Sequence, residues 1–192
     1  MKKTLYDVRM TSRIDVREAF LRGRQTCHMN AQEEIVTIVD SNNQVIGAVP
    51  RHKMRQENLI HRAAYILVFN SHGELFVHRR TLTKDIYPGY YDIAAGGVVL
   101  AGESYEESAR RELEEELGIR EKELKNLFDF FYQDGANQVW GRAFSCNHDG
   151  IFSLQKEEVE WGSFMPLPSL RQMAPKKPFT PDGLYLLGRL TA

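Results

Sequence analysis

Apolar and polar positions alternate along the chain in short runs, and the period of the alternation changes from segment to segment. From Glu34, "EIVTIVDSNNQVIGAV" holds two β-rich runs around the turn residues Ser41 to Asn43, which predicts a hairpin. "RHKMRQENL" after Pro50 suits a short helix, since proline is tolerated where a helix begins. "AAYILVFNSHGELFVHRR" predicts a strand, a turn at Ser71 to Gly73 and a second strand ending in Arg79 and Arg80. The first of these strands is nearly all apolar, as a central strand of a sheet should be. The Pro-Gly and aromatic content of "TLTKDIYPGYYD" marks a loop leading into one short strand, "DIAAGG".

The period then becomes helical. Tyr105, Ala109, Leu113 and Leu117 recur at i+4 and make one apolar stripe, while Glu107, Arg110 and Glu114 fall on the solvent side. "LKNLFDFFYQDG" and "QVWGRAFSCNHDG" return to the strand pattern, each closed by a turn. The tail carries prolines at 166, 168, 175, 178 and 181 before a terminal helix, "DGLYLLGRL". Its proline-rich part reads as a lid, a dimer contact or a plain loop. Residues 1–33 are polar and mixed in charge, with one helix predicted from Asp15 to about Gly23, and read as an N-terminal extension to a domain of residues 34–192.

Composition narrows the functional classes. Lys and Arg number 25 against 26 Asp and Glu, so no global basic field favours a nucleic acid polymer or an anionic membrane. A small-molecule partner is expected instead. The two cysteines, Cys27 and Cys146, have no disulfide or zinc-site spacing, which suits a reducing cytoplasm. No apolar run follows Lys2 and Lys3 as a secretory leader would require, and none reaches membrane-spanning length.

The chemistry lies in the helical segment. At about 100° per residue, Glu112, Glu115 and Glu116 share one face, between the apolar stripe and the solvated edge. Like charges so close repel unless a cation sits among them, and an all-oxygen donor set favours magnesium or manganese. Glutamate-rich helices are also good helix formers and are often merely solvated. The wider spacing argues against that plainer account. Gly97, Glu103, Arg111, Glu112, Glu115, Glu116 and Gly118 match at fixed positions, a coincidence on the order of 10⁻⁸ per starting point at average composition.

That arrangement, Gly97 to Ile119, resembles the signature of the Nudix hydrolase superfamily at every position. The resemblance implies an α/β/α sandwich, with a mixed β-sheet between helices, from about Ile35 to Leu190. It implies that Glu112, Glu115 and Glu116 bind Mg²⁺ or Mn²⁺, with a carbonyl of Gly96 or Gly97 nearby, and that Glu103 and Arg111 are a supporting pair. The reaction it implies is attack of water on phosphorus in a nucleoside diphosphate derivative or a related small diphosphate. A catalytic base is expected at Glu115, Glu116 or, on a later loop in "LQKEEVEWGSF", Glu158, with Glu157 and Glu160 behind it. Arg79, Arg80 and Lys84 are candidates for holding phosphate, although adjacent strand residues face opposite ways. A homodimer is a family-level expectation.

"LIHRAAYILVFNSHGELFVHRRTLTKDIYPGYYDIAAGG" also resembles type I isopentenyl diphosphate isomerase, which shares this fold. That enzyme needs a cysteine where this chain has Ile93, Ala94 and Ala95, and its histidine ligands are mirrored by His61 at best. An isomerase-like flank beside an intact signature resembles a bacterial subgroup of Nudix hydrolases. The alternatives are therefore an isomerase of prenyl diphosphates, disfavoured by the missing cysteine, and a non-catalytic nucleotide-sensing module, whose usual mark is lost glutamates.

Overall fold

A computed structural model describes residues 31–190, so the helix expected from Asp15 to Gly23 and Cys27 lie outside the described residues. The predicted hairpin is β1 (Ile35–Val39) paired antiparallel with β2 (Val45–Pro50), and helix α1 (Arg51–Gln56) follows directly. The long apolar strand is β3 (His61–Phe69), and β4 (Leu75–Arg80) ends in the two arginines. Where one short strand was expected there are two, β5 (Tyr91–Asp92) and β6 (Ala95–Val98), because the chain leaves one neighbour and joins another between them. The glutamate-rich helix is α2 (Tyr105–Leu117), followed by β7 (Lys125–Gln133), β8 (Gln138–Asn147) and β9 (Val159–Met165).

The proline-rich tail is not a plain loop. It forms α3 (Leu167–Met173) and a 3₁₀ turn, Ala174–Lys176, before α4 (Pro181–Arg189), and it buries Leu170 and Phe179 in the core. Pro168 and Pro181 stand in the first turns of α3 and α4, where a missing N–H costs nothing.

Side-chain alternation along β3 divides the core in two. Ala64, Ile66 and Val68 pack with Tyr105, Ala109, Leu113 and Leu117 of α2 on one face. Leu67 joins Leu75, Val77, Leu170, Leu186 and Leu187 on the other, under α3 and α4. The result is a mixed sheet between helical layers, as the sequence led us to expect. A fully buried leucine contributes about 1.5–3 kcal/mol by removal from water, so the α2 stripe alone fixes that helix against the sheet.

One irregularity makes the site. β3 and β4 pair only at Phe69 with Leu75 and then separate. Beyond that point β6 lies antiparallel along one edge of β3 and β8 parallel along the other, while β4 takes β5 and β9. A cleft opens between the two half-sheets, lined by residues of β3, β4, β5 and β6.

Two histidines are sealed inside this framework. His61 and His78 are each 2% exposed, and burial pushes the pKa of each down to about 3, with Arg55 adding at His61 and Arg80 at His78. Because both lie below the ordinary value, the unfolded chain binds more protons between about pH 3 and 6.5. Their neutral burial is therefore fully stabilising above about pH 6.5 and is lost as pH falls, by about 2 kcal/mol for each at pH 5. Buried carboxyls with raised pKa act in the opposite sense, so the expected result is a difference between proteins. His78→Gln should lose about 2 kcal/mol less than the parent between pH 7.5 and 5.0 in urea melts. Identical losses would mean that His78 is not held neutral.

Candidate active site

Helix α2 begins with a capping box. Ser104 Oγ accepts from Glu107 N–H at 3.2 Å, and Glu107 accepts from Ser104 N–H at 2.8 Å. Gly118 ends the helix in the left-handed conformation, φ 69°, which glycine adopts without a Cβ penalty. Both ends are therefore fixed by local sequence, and the three glutamates project at set angles.

Arg111 is the centre of the acidic face. Its guanidinium grips Glu103 through two hydrogen bonds, of 2.9 and 3.1 Å, and its Nη1 donates to Glu112 at 2.8 Å and to Glu115 at 3.0 Å. Burial opposes charge on this group, but Glu112, Glu103 and Glu115 together raise its pKa. Glu103 also accepts from Leu100 N–H at 3.1 Å, which ties the loop before α2 to the helix. Among the described residues, no three acidic, histidine or cysteine groups stand close enough to hold a metal ion without adjustment. Glu112 and Glu115 are turned toward Arg111 rather than toward each other.

Glu116 has a different setting. It is 4% exposed, and its Oε2 accepts from Gly96 N–H at 3.1 Å. Burial pushes its carboxyl up to about 7, with Lys84 opposing the shift and Glu112 adding to it. The paired glycines fit closely against these acids. A Cβ on Gly96 (φ 147°) would strike the Ala64 carbonyl, and one on Gly97 would strike the Glu112 carboxylate. Gly97→Ala should thus leave the fold in place, since the group it meets is a flexible side-chain end, and, with Glu112 expected to hold a metal, lower kcat/KM by about 10–100-fold. An unaltered kcat/KM would show that Glu112 need not occupy that position.

The cleft that Gly96 and Gly97 line carries several basic groups. Arg80 points in, 3.5 Å from Asp92 and donating to the Ile86 carbonyl at 3.1 Å, and its Nε is buried without a partner. Lys84 is ion-paired with Glu158, and burial lowers its pKa, with Glu116 opposing. Arg79 faces elsewhere. It donates to the Gly89 carbonyl at 3.1 Å and pairs with Glu160 at 3.1 Å, and it does not line the cleft, as strand alternation requires of one of two adjacent residues. Glu158 is brought to the site from far along the chain: Gln155 N–H donates to the Glu116 carbonyl at 2.9 Å, and Thr81 N–H donates to the Glu158 carbonyl at 3.1 Å.

Sequence reasoning missed Arg51 and Arg55. Spaced i and i+4 on α1, both line the cleft and flank Asp85, at 3.6 and 3.3 Å. Burial would raise the Asp85 carboxyl, but the two guanidiniums override it and hold it low. The only signal in the sequence was that spacing, on a helix too short to show a face by periodicity. Tyr91 packs on Phe179 at 5.3 Å, and Tyr90 stacks on Tyr87 at 5.7 Å, which favours packing over base stacking for both. Cys146 lies in the core beneath α2, with burial pushing its thiol up to about 11, so it does not replace the cysteine that an isomerase requires.

The family model for the NUDIX domain matches residues 59–185, about two thirds of the chain. The chain belongs to the Nudix family. It is 45% identical over 154 residues to an uncharacterized Nudix hydrolase of Pseudomonas aeruginosa, covering 80% of this chain and 91% of that protein. It is 43% identical over 157 residues to the uncharacterized Nudix hydrolase YfcD of Escherichia coli K12, covering 82% and 86%. In fold it is similar to the crystal structure of DR0079 from Deinococcus radiodurans, with a TM-score of 0.73, 24% identity and coverage of 83% of this chain and 100% of that one. The NUDIX domain of Shewanella oneidensis NrtR, solved with ADP ribose, matches with a TM-score of 0.55 at 17% identity, over 67% of this chain and 84% of its own. This Nudix protein is thus a pyrophosphohydrolase by family. Among the described residues, no helix is long and apolar enough to cross a membrane.

Proposed function

We propose that this Nudix hydrolase cleaves the diphosphate of a nucleoside diphosphate derivative, or of a related small diphosphate, in a Mg²⁺- or Mn²⁺-dependent reaction at the cleft between β3–β6 and β4–β5. The observation that carries the reading is that the buried Glu116 carboxyl, bonded to Gly96 N–H in the cleft wall, lies near enough to Arg80 and Lys84 of the same cleft for both to oppose the rise in its pKa. Buried carboxyls beside a wall of basic groups suit a metal and the phosphates it joins.

Glu112, Glu115 and Glu116, with a carbonyl of Gly96 or Gly97, are the metal-binding groups; their hard oxygen donors and the side-chain-free glycines fit such an ion. When bound, it supplies Lewis-acid polarisation of phosphate oxygens and lowers the pKa of water. Arg80, Lys84, Arg51 and Arg55 hold and orient the diphosphate, and the unpartnered Arg80 Nε supports this role. Lys84 moves from Glu158 to a phosphate oxygen, which frees Glu158 to take the proton of the attacking water. The new P–O bond forms as the bridging P–O bond breaks, and the leaving phosphate carries away the electron pair. Glu115 or Glu116 is the base if Glu158→Gln keeps turnover. Glu103 and Arg111 position the helix and its carboxylates.

The test is phosphate-coupled turnover over a panel of ADP-ribose, NADH, diadenosine polyphosphates, coenzyme A, nucleoside triphosphates and prenyl diphosphates, with magnesium or manganese. ADP-ribose leads the panel because it occupies the similar NrtR domain. Cleavage of one class by the wild type alone, and not by Glu116→Gln, supports the reading. No turnover together with no metal-dependent rise in Tm would overturn it.

A further inference from the structure

Beside the cleft, the two half-sheets are bridged by a contact that the proposed reaction does not use. Residues 81–90, between β4 and β5, carry Lys84 and Asp85 to the cleft wall, and no helix or strand of their own fixes their course. Residues 134–137 form the turn between β7 and β8, on the β3 side of the parting. The Tyr87 hydroxyl donates to Asp134 Oδ2 at 2.6 Å and so joins loop to turn. The same carboxylate accepts from the N–H groups of Ala136 and Asn137 at 2.7 and 2.8 Å, and from the Tyr132 hydroxyl at 2.9 Å. Burial opposes charge on Asp134, but these bonds, that of Tyr87 foremost, hold its carboxyl below the ordinary value. A short hydrogen bond to an ionised acceptor is among the stronger kinds.

Two features tie this contact to the basic wall rather than to the turn alone. Tyr87 has φ 50°, a left-handed backbone that a bulky residue adopts only at a cost, and it directly follows the cleft-lining Ile86. Asn137, whose N–H is bonded to Asp134, accepts from Arg55 Nη1 at 3.1 Å, and Arg55 in turn pairs with Asp85 at 3.3 Å. These contacts close a ring from the loop through the turn and α1 back to the loop. We propose that Tyr87 and Asp134 are positioning residues that fix Lys84 relative to Arg51 and Arg55, so that the three cations meet a diphosphate together. Neither Tyr87 nor Asp134 lines the cleft, so both act through the groups that do. This rests on the diphosphate reading above.

Tyr132 supplies the control. Its hydroxyl shares Asp134 Oδ2 with Tyr87, but it stands on β7 and has no part in the loop. If the carboxylate only holds the turn, the two hydroxyls are equivalent; if it places Lys84, they are not. The probe is methylenediphosphonate, a diphosphate analogue that resists hydrolysis, titrated calorimetrically with magnesium into the full chain. Tyr87→Phe keeps its ring for the stack on Tyr90 and should bind the probe about tenfold more weakly, the effect of losing one hydrogen bond to a charged group. Tyr132→Phe should bind it as tightly as the parent. Asp134→Ala should reproduce the loss of Tyr87→Phe, the two together should lose no more than either alone, and Asp134→Asn, which keeps an acceptor, should recover most of the affinity. Amide exchange of residues 81–90 should quicken in Tyr87→Phe and not in Tyr132→Phe. If Asp134→Ala does not fold, the two phenylalanine variants, each lacking one oxygen, still decide. Parental affinity in Tyr87→Phe, or equal losses in both phenylalanine variants, overturns the inference and leaves the diphosphate reading standing. A parent that binds no probe overturns the diphosphate reading itself.

Discussion

Glu116→Gln should lower kcat by at least about 10³-fold while the protein stays folded, with a metal-free Tm equal to or above that of the parent. The two halves of this expectation have one cause. Glu116 is buried, and burial penalises its ionised form, so a neutral amide of nearly the same shape relieves a cost. The amide oxygen still accepts from Gly96 N–H, which keeps the helix seated against β6. What disappears is negative charge at the point where the proposed metal and the phosphates meet. The upward shift of Tm on adding millimolar magnesium should shrink in the variant, because a ligand stabilises only the state that binds it. Turnover near the parental rate would remove Glu116 from the chemistry. A collapse of Tm would show instead that its charge is structural.

Arg111→Ala carries the second large effect. The guanidinium serves Glu103, Glu112 and Glu115 at once, and its loss leaves three carboxylates facing each other with no cation between them. Removing one partner of a buried pair costs about 3–5 kcal/mol. Glu115 is half-exposed and Arg111 is not fully buried, so screening reduces this to about 2–3 kcal/mol. The sign of the metal dependence is informative. Magnesium should recover part of the lost stability, since a divalent ion relieves the same repulsion that Arg111 relieves, whereas the loss should be greatest in EDTA. Urea melts of parent and variant with 5 mM magnesium and with EDTA make the comparison. Equal losses in both would show that the acids on α2 do not gather a cation.

Particular elements show where local pattern was sufficient. The α2 stripe was readable because Tyr105, Ala109, Leu113 and Leu117 repeat at the helical period and are all buried. β3 was readable as central because an all-apolar strand needs cover on both faces, and it has neighbours on both edges. The double strand β5 and β6 was not, since only their different partners separate them. In the tail, proline count alone did not separate a loop from the helix α3, where Pro168 occupies a first-turn position that helices tolerate, while the terminal helix α4 was legible.

The sequence by itself determined most of the order of the strands and helices and the acidic face of α2. All of these depend on spacing within a few residues, where covalent geometry sets direction. Only the tertiary structure decided that Arg80 enters the cleft while Arg79 turns to Glu160, that Lys84 meets Glu158, and that Arg51, Arg55, Tyr65, Asp92 and Asp182 join one site. Those groups come from separate elements, and what unites them is the parting of β3 from β4. Such a parting is set by competition among strand partners across the whole sheet, and no local period along the chain records it.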